Sequence, residues 1–174
     1  MNSTDQYYDY LVKHINSVYK CYEILTGVKT KEVTVDDLKN KDYFGHDKSK
    51  LTVSEFIPYR VYFYDDKNKK LPKTKSNFDK AWCHHQKENP HHWEFWCYLS
   101  NKGELIPLEI PMNYIDEMVS DWGSFSYQKG SGDELRSWFD SNKDKMKINP
   151  VSMKIIETKV QFLADELDKL GETK

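Results

Sequence analysis

Two adjacent histidine pairs stand in the segment "HHQKENPHHWEFW", residues 84–96, and they account for four of the six histidines in the chain. The other two are His14 and His46, and His46 is followed at once by Asp47. Neutral imidazole and carboxylate are the usual ligands of Zn, Mn, Fe and Ni. Several such groups turned into one core are costly to bury alone, and a shared cation removes that cost. What chemistry these residues can do therefore depends on whether their elements point them inward.

Apolar residues recur every three or four positions from Tyr7 through Leu11, Val18 and Tyr22 to Leu25, which predicts an amphipathic helix ended at Gly27. His14 lies in that stripe and is expected to face inward. "TVDD" predicts a second start with Thr34 as N-cap and Asp37 three residues on, and "TVSEF" a third with Thr52 and Glu55 as a capping box. The stretch 65–77 has no apolar period and reads as an exposed, solvated loop. Ser76 with Asp79 predicts the next cap, opening a helix on which Phe78, Ala81, Trp82 and His85 share a face. His85, rather than His84, continues that stripe. Asn89, with Pro90 at the first helical position, predicts a further helix carrying His92, Phe95, Trp96 and Leu99 on one side. That favours His92 over His91 as the inward member of the second pair.

Residues 103–111 form a proline-marked connection with room for a short extended piece. Asn113 is expected to cap a helix whose Ile115, Met118, Val119 and Trp122 form the apolar face, with Asp121 at its edge, one turn beyond Glu117. "SGDELRSWF" reads as a short helix. From Pro150, the series Ile155, Ile156, Val160, Leu163, Leu167 and Leu170 predicts a long amphipathic helix over 150–174, able to close its own domain or a homodimer. The expected fold is all-α, a single domain over 1–174 with about six to seven helices.

Bulk properties narrow the function classes. Net charge is −2, so no basic field argues for nucleic acid as a partner. No apolar run reaches the length of a membrane span, and "MNSTDQYYDY" lacks the apolar centre of a secretion signal. Three cysteines, without a CxxC pair, suit a reducing cytoplasm. Aromatics reach 14% against 38% hydrophobic residues overall, which points to a core of few but large side chains.

Taken in order, His14, His46-Asp47, His85, His92 and Asp121 resemble the metal-ligand series of the HD superfamily of metal-dependent phosphohydrolases. "HDKSK" is similar to that superfamily's H-D-x-G-K variant, with Ser49 in place of the glycine and Lys50 in place of the lysine. The histidines between the doublet and the last aspartate are similar to those of the subgroup that binds two metals. Over nearly the whole chain, "HDKSK", "EFIPYRVYF", "AWCHHQKENPHHWEFW" and "IDEMVSDW" resemble a small uncharacterised family of bacterial and phage proteins, distantly related to HD domains.

The resemblance implies one or two divalent ions (Mn, Fe, Zn, Ni or Co) held by His14, His46, Asp47, His85, His92 and Asp121. With two ions, Asp47 would bridge them and a shared water would become the nucleophile. Lys50, Lys48 and Arg60 lie near the doublet in sequence and are candidates for binding a substrate phosphate, while His84 or His91 would protonate the leaving oxygen. Glu88 or Glu117 would fix imidazole tautomers. The expected activity is hydrolysis of a phosphate ester, a nucleotide or another small phosphorylated molecule. Two rivals stay open. An HD-type di-iron centre using O₂ would suit the same ligands. A non-catalytic helical module would use the histidines structurally, with a zinc site shared with Cys83 or Cys97 as one form of it.

Overall fold

The N-terminal aromatic stripe forms helix α1 (Ser3–Thr26). Asn2 opens it, its Oδ1 accepting the N–H groups of Thr4 and Asp5 at 3.0 Å, and Gly27 closes it at φ 74°. Helices α2 (Val35–Lys39), α3 (Val53–Tyr64) and α4 (Pro72–Glu88) follow, with a 3-10 turn at Lys48–Leu51 ahead of α3. A second 3-10 turn (Trp93–Trp96) leads into an antiparallel hairpin of β1 (Cys97–Leu99) and β2 (Leu105–Pro107), in which Tyr98 faces Ile106. Helices α5 (Met112–Lys129), α6 (Asp133–Asn142) and α7 (Pro150–Glu172) complete the chain. This computed structural model describes residues 2–172, and their fold class is all-α, as expected. No helix among the described residues is long and apolar enough to cross a membrane.

The described residues pack as two compact units, one from the residues up to Ile15 with Val33–Asn89, the other from Asn16–Glu32 with the residues from Pro90 onward. The first unit has an aromatic interior. Tyr7 meets Phe56 edge-on at 5.0 Å, Tyr59 meets Phe78 at 5.2 Å, and Tyr62 stacks on Phe78 at 4.1 Å, so α3 and α4 are joined largely by rings. The second unit has a mostly aliphatic core. Ile115, Met118 and Val119 of α5 meet Leu135 and Phe139 of α6 and Ile156, Val160, Leu163 and Leu167 of α7. Of the stripe expected on α7, Ile156, Val160, Leu163 and Leu167 are thus buried within this unit, while Leu170 is exposed.

Several local expectations are corrected. The helix predicted from Asn89 does not form. After Pro90 the chain turns, and the indole of Trp96 donates to the Pro90 carbonyl at 2.7 Å while the Leu108 N–H donates to the Trp96 carbonyl at 2.8 Å. Those bonds hold the backbone in a turn and a hairpin, so four apolar positions with helical spacing came from a window too short to define a helix. The stretch 65–77 is a loop only to Leu71. Pro72 occupies the first position of α4, and Thr74 is buried with its hydroxyl donating to the Asn68 carbonyl at 2.8 Å. Ser76 and Asp79 therefore lie inside α4, where Asp79 pairs with Lys75 rather than capping. Asn113 falls within the first turn of α5, whose cap position is Pro111. The Thr34 capping box forms as expected, with Asp37 N–H donating to the hydroxyl at 3.2 Å and Thr34 N–H to the carboxylate at 2.8 Å. The last two residues of the expected C-terminal helix lie outside the described residues.

Two predictions follow from packing in the second unit. A Cβ on Gly132 would stand 2.2 Å from the carbonyl oxygen of Ala164 on α7, and Gly132 N–H also donates to Asp168 at 2.7 Å. Gly132 has an ordinary helical φ of −76°, so space alone forbids a side chain. Gly132→Ala should destabilise the protein by about 1–3 kcal/mol in urea unfolding, the usual cost of overpacking. Beyond α1, the backbone N–H of Thr30 donates to Glu23, as do the Thr30 hydroxyl and Lys20, and together they hold the Glu23 carboxyl down at about 2. A carboxyl lowered on folding stabilises the protein above its ordinary value of 4.5 and loses that contribution as pH falls towards 2. Glu23→Gln should therefore flatten the decline of the urea midpoint across that window and leave its pH dependence above 5 unchanged.

Candidate metal centre

The His-Asp doublet lies in a tight turn. Lys48 N–H donates to the Gly45 carbonyl at 3.2 Å and Lys50 N–H to the Asp47 carbonyl at 2.9 Å. Asp47 itself sits at φ 60°, ψ 23°, the only non-glycine residue with positive φ among those described. Aspartate tolerates this left-handed conformation better than most residues. The turn buries both His46 and Asp47. α1 brings His14 to the doublet, and α4 brings His85.

The Asp47 carboxylate is the hub. Its Oδ2 lies 3.2 Å from His14 Nε2 and 3.5 Å from His46 Nε2, and accepts from Lys50 Nζ at 2.5 Å. Its Oδ1 lies 3.3 Å from His85 Nε2. His14, His46 and Asp47 each offer a ligand atom, and the three atoms lie within 4.8 Å of one another. The rings are held by stacking: Tyr10 lies flat on His14 at 5.8 Å and Trp82 on His85 at 5.7 Å.

Burial raises the Asp47 carboxyl, but the ammonium of Lys50, the neighbouring rings of His46 and His85 and the bond to His14 outweigh it and hold the group well below the carboxylate range. Burial depresses His85, against the raising effect of Asp47 and Glu55, so its imidazole is neutral near pH 7. Burial also raises the phenols of Tyr7 and Tyr59, which remain protonated. A carboxylate and three imidazoles at close spacing, sheltered from water, are a donor set that suits a divalent cation.

A second carboxylate completes the arrangement, and sequence reasoning missed its role. Glu55 of α3 is fully buried. Its Oε1 lies 2.7 Å from His84 Nδ1, its Oε2 lies 2.8 Å from His85 Nδ1, and the same Oε2 accepts from the Ser49 hydroxyl at 3.0 Å. Burial raises the Glu55 carboxyl, but the bonds from His85, His84 and Ser49 prevail and lower it. Glu55 was expected to cap α3 with Thr52, whereas the Thr52 hydroxyl donates to the Ser49 carbonyl at 2.7 Å. The available signal was Glu55 lying one helical turn before Tyr59, on the buried face of α3.

The remaining candidates are placed as follows. Of the three cations expected beside the doublet, Lys50 is on its carboxylate. Lys48 is exposed with its ammonium over the Phe44 ring at 4.3 Å, and Arg60 donates to the Ser3 hydroxyl at 2.8 Å, so neither is spent on Asp47. Glu88 is exposed. In the second unit, His91 Nδ1 lies 3.1 Å from Glu117 Oε1, and His92 Nδ1 lies 3.9 Å from Glu94 Oε2. The side chain of His91 is 2% exposed and that of His92 13%, which reverses the order expected for that pair. The turn after Pro90, in place of a helix, is the reason. Asp121 is half-buried on α5, and its charge adds to burial in raising the Cys21 thiol. Cys97 donates to the Lys147 carbonyl at 3.1 Å.

Set against known proteins, the chain matches a family of unknown function (DUF5662) over residues 3–166. No curated protein and no solved structure matches it.

The left-handed turn separates two ways of removing the hub. Asp47→Asn keeps a residue type that accepts this backbone, whereas Asp47→Ala adds strain on the order of 1 kcal/mol. Urea unfolding should find the alanine variant less stable than the asparagine variant by about that amount, and equal stabilities would show that the turn carries no such strain.

Proposed function

The chain belongs to the DUF5662 family, to which no function is assigned, and from its own site we propose that it is a metal-dependent hydrolase of phosphate esters with an HD-type centre, acting on a nucleotide or another small phosphorylated molecule. The observation that carries the reading is the buried group of His14, His46 and Asp47, with ligand atoms within 4.8 Å of one another. These three residues would hold an ion, and His85, 3.3 Å from the other Asp47 oxygen, is the next ligand in reach. A divalent ion bound there supplies Lewis acidity and lowers the pKa of a water.

The chain's own groups do the rest. Asp47 stays ionised at neutral pH and brings the negative charge that makes the site selective for a cation. Lys50, already within 2.5 Å of that carboxylate, places an ammonium where charge builds on the phosphoryl oxygens. His84, with a side chain 37% exposed, is the imidazole of its pair whose outer nitrogen can reach a leaving oxygen, and a proton taken up there would pass to that oxygen. Tyr10, Tyr59 and Trp82 wall the imidazoles with rings and keep them in place.

Protein purified without a polyhistidine tag should retain a divalent metal by elemental analysis. It should also hydrolyse members of a phosphatase and phosphodiesterase panel in Mn²⁺, Co²⁺ or Ni²⁺. His46→Ala and Asp47→Asn should both lose the metal and at least about 100-fold of the turnover, the upper end of what losing a mere partner of a ligand costs, with the helical circular dichroism retained. Turnover that survives both substitutions, or a wild-type protein that binds none of the three metals, overturns the reading. Bound iron with oxygen-dependent turnover would place the chemistry with the oxygenases instead.

A further inference from the structure

We infer that Glu55 is a positioning residue that fixes both members of the 84–85 histidine pair at once. Each of its two oxygens takes the Nδ1–H of one ring, so that the lone pair of His85 lies at Nε2, the nitrogen turned to Asp47, and Nε2 of His84 is the outer edge of a part-exposed ring. The inference rests on the metal-centre reading only for what His85 does with that lone pair.

Distances decide where the protons sit. Between Glu55 Oε2 and His85 Nδ1 the separation is 2.8 Å, and between Glu55 Oε1 and His84 Nδ1 it is 2.7 Å. Both fall in the range of hydrogen bonds to an ionised acceptor, about 2.7–2.9 Å. The contact on the far side of the His85 ring, Nε2 to Asp47 Oδ1, is longer at 3.3 Å. A carboxylate has no proton to give, so each short contact needs the hydrogen on nitrogen.

The neighbours of His85 Nδ1 agree with this assignment. Asn89 Nδ2 approaches it to 3.0 Å, but its two hydrogens are taken by the His85 carbonyl at 2.7 Å and the Ser49 hydroxyl at 2.7 Å, and the Ser49 oxygen stands 3.1 Å from the same nitrogen, farther than from Glu55. Ser49 in turn donates to Glu55 Oε2 at 3.0 Å. Asn89, Ser49 and Glu55 thus form a directed chain, and Nδ1 of His85 keeps its own proton for the carboxylate at its end.

The consequence for the ring is specific. Free neutral histidine prefers the proton on Nε2, so the structure calls for the minority tautomer at two consecutive residues. With Nδ1–H committed to Glu55, the Nε2 lone pair of His85 and the Asp47 oxygen present two acceptors to one cation. A carboxylate behind a ligating imidazole is the usual means of holding that ring's tautomer and orientation. Here a single fully buried carboxylate does so for one inward ring and for the neighbour that faces out.

Long-range ¹H–¹⁵N correlation on the full chain at neutral pH, without metal, reads the tautomers directly. Wild type should show Nδ1–H at both His84 and His85. In Glu55→Gln at least one of the two should revert to Nε2–H, because the amide offers one acceptor oxygen in place of two, and Co²⁺ affinity should fall about 10–100-fold. Nε2–H at His85 in the wild type, or tautomers unchanged in Glu55→Gln, overturns the inference. The wild-type spectrum decides alone if the variant does not fold. Tautomers as expected in a protein that binds no Co²⁺ would support the Glu55 clamp while removing the metal centre. Tight Co²⁺ binding with tautomers untouched by Glu55→Gln would keep the centre and remove the clamp.

Discussion

An ionised carboxylate cannot be buried unless positive or hydrogen-bonding groups replace the water it gives up. Asp47 is nearly inaccessible and stays charged because Lys50 and the imidazoles of His14, His46 and His85 surround it. Much of the first unit follows from that requirement. The left-handed turn aims the doublet inward, α1 delivers one ring, α4 another, and the 3-10 turn after the doublet returns Lys50 to the same oxygen. Breaking a buried charge cluster from one side typically costs about 3–5 kcal/mol, so the cluster and the packing around it stand or fall together.

His85 occupies the middle of a polar line that runs through the unit. One ring nitrogen meets Asp47 at 3.3 Å and the other meets Glu55 at 2.8 Å, so the imidazole is held between two carboxylates. Such a line keeps its geometry only if its supports do not move. The ring contacts between α3 and α4 provide that rigidity, because Tyr59 touches both Phe78 and His85. Aromatic bulk, unusual for a chain with modest aliphatic content, is thus spent where orientation matters.

The second unit is built on a different balance. Its core is aliphatic, drawn from α5, α6 and α7, and its closest approaches are made by small residues such as Gly132 against Ala164. The histidine pair at 91–92 stands on a turn and a hairpin rather than on a helix, each ring beside its own glutamate. A turn of that kind needs the indole of Trp96 to bind the Pro90 carbonyl, which makes the tryptophan a backbone partner as well as a packing group.

Residue order alone settled the features that depend on one helix face. His14 belongs to a stripe that runs over several turns, and His85 continues the Ala81 face, so the burial of both is legible in the sequence itself. The apolar face of α7 and the Thr34 box were legible for the same reason, since their partners lie within a few residues. Features whose partners are distant in sequence were not. Glu55 carries the same local spacing as a capping residue, and only the arrival of α4 makes it the partner of two histidines. The left-handed turn at Asp47, the hairpin after Pro90 and the choice of His91 over His92 as the more buried ring likewise rest on hydrogen bonds and packing between separate segments. Periodicity reports which way a side chain leaves its own helix; what it meets there is decided by the rest of the fold.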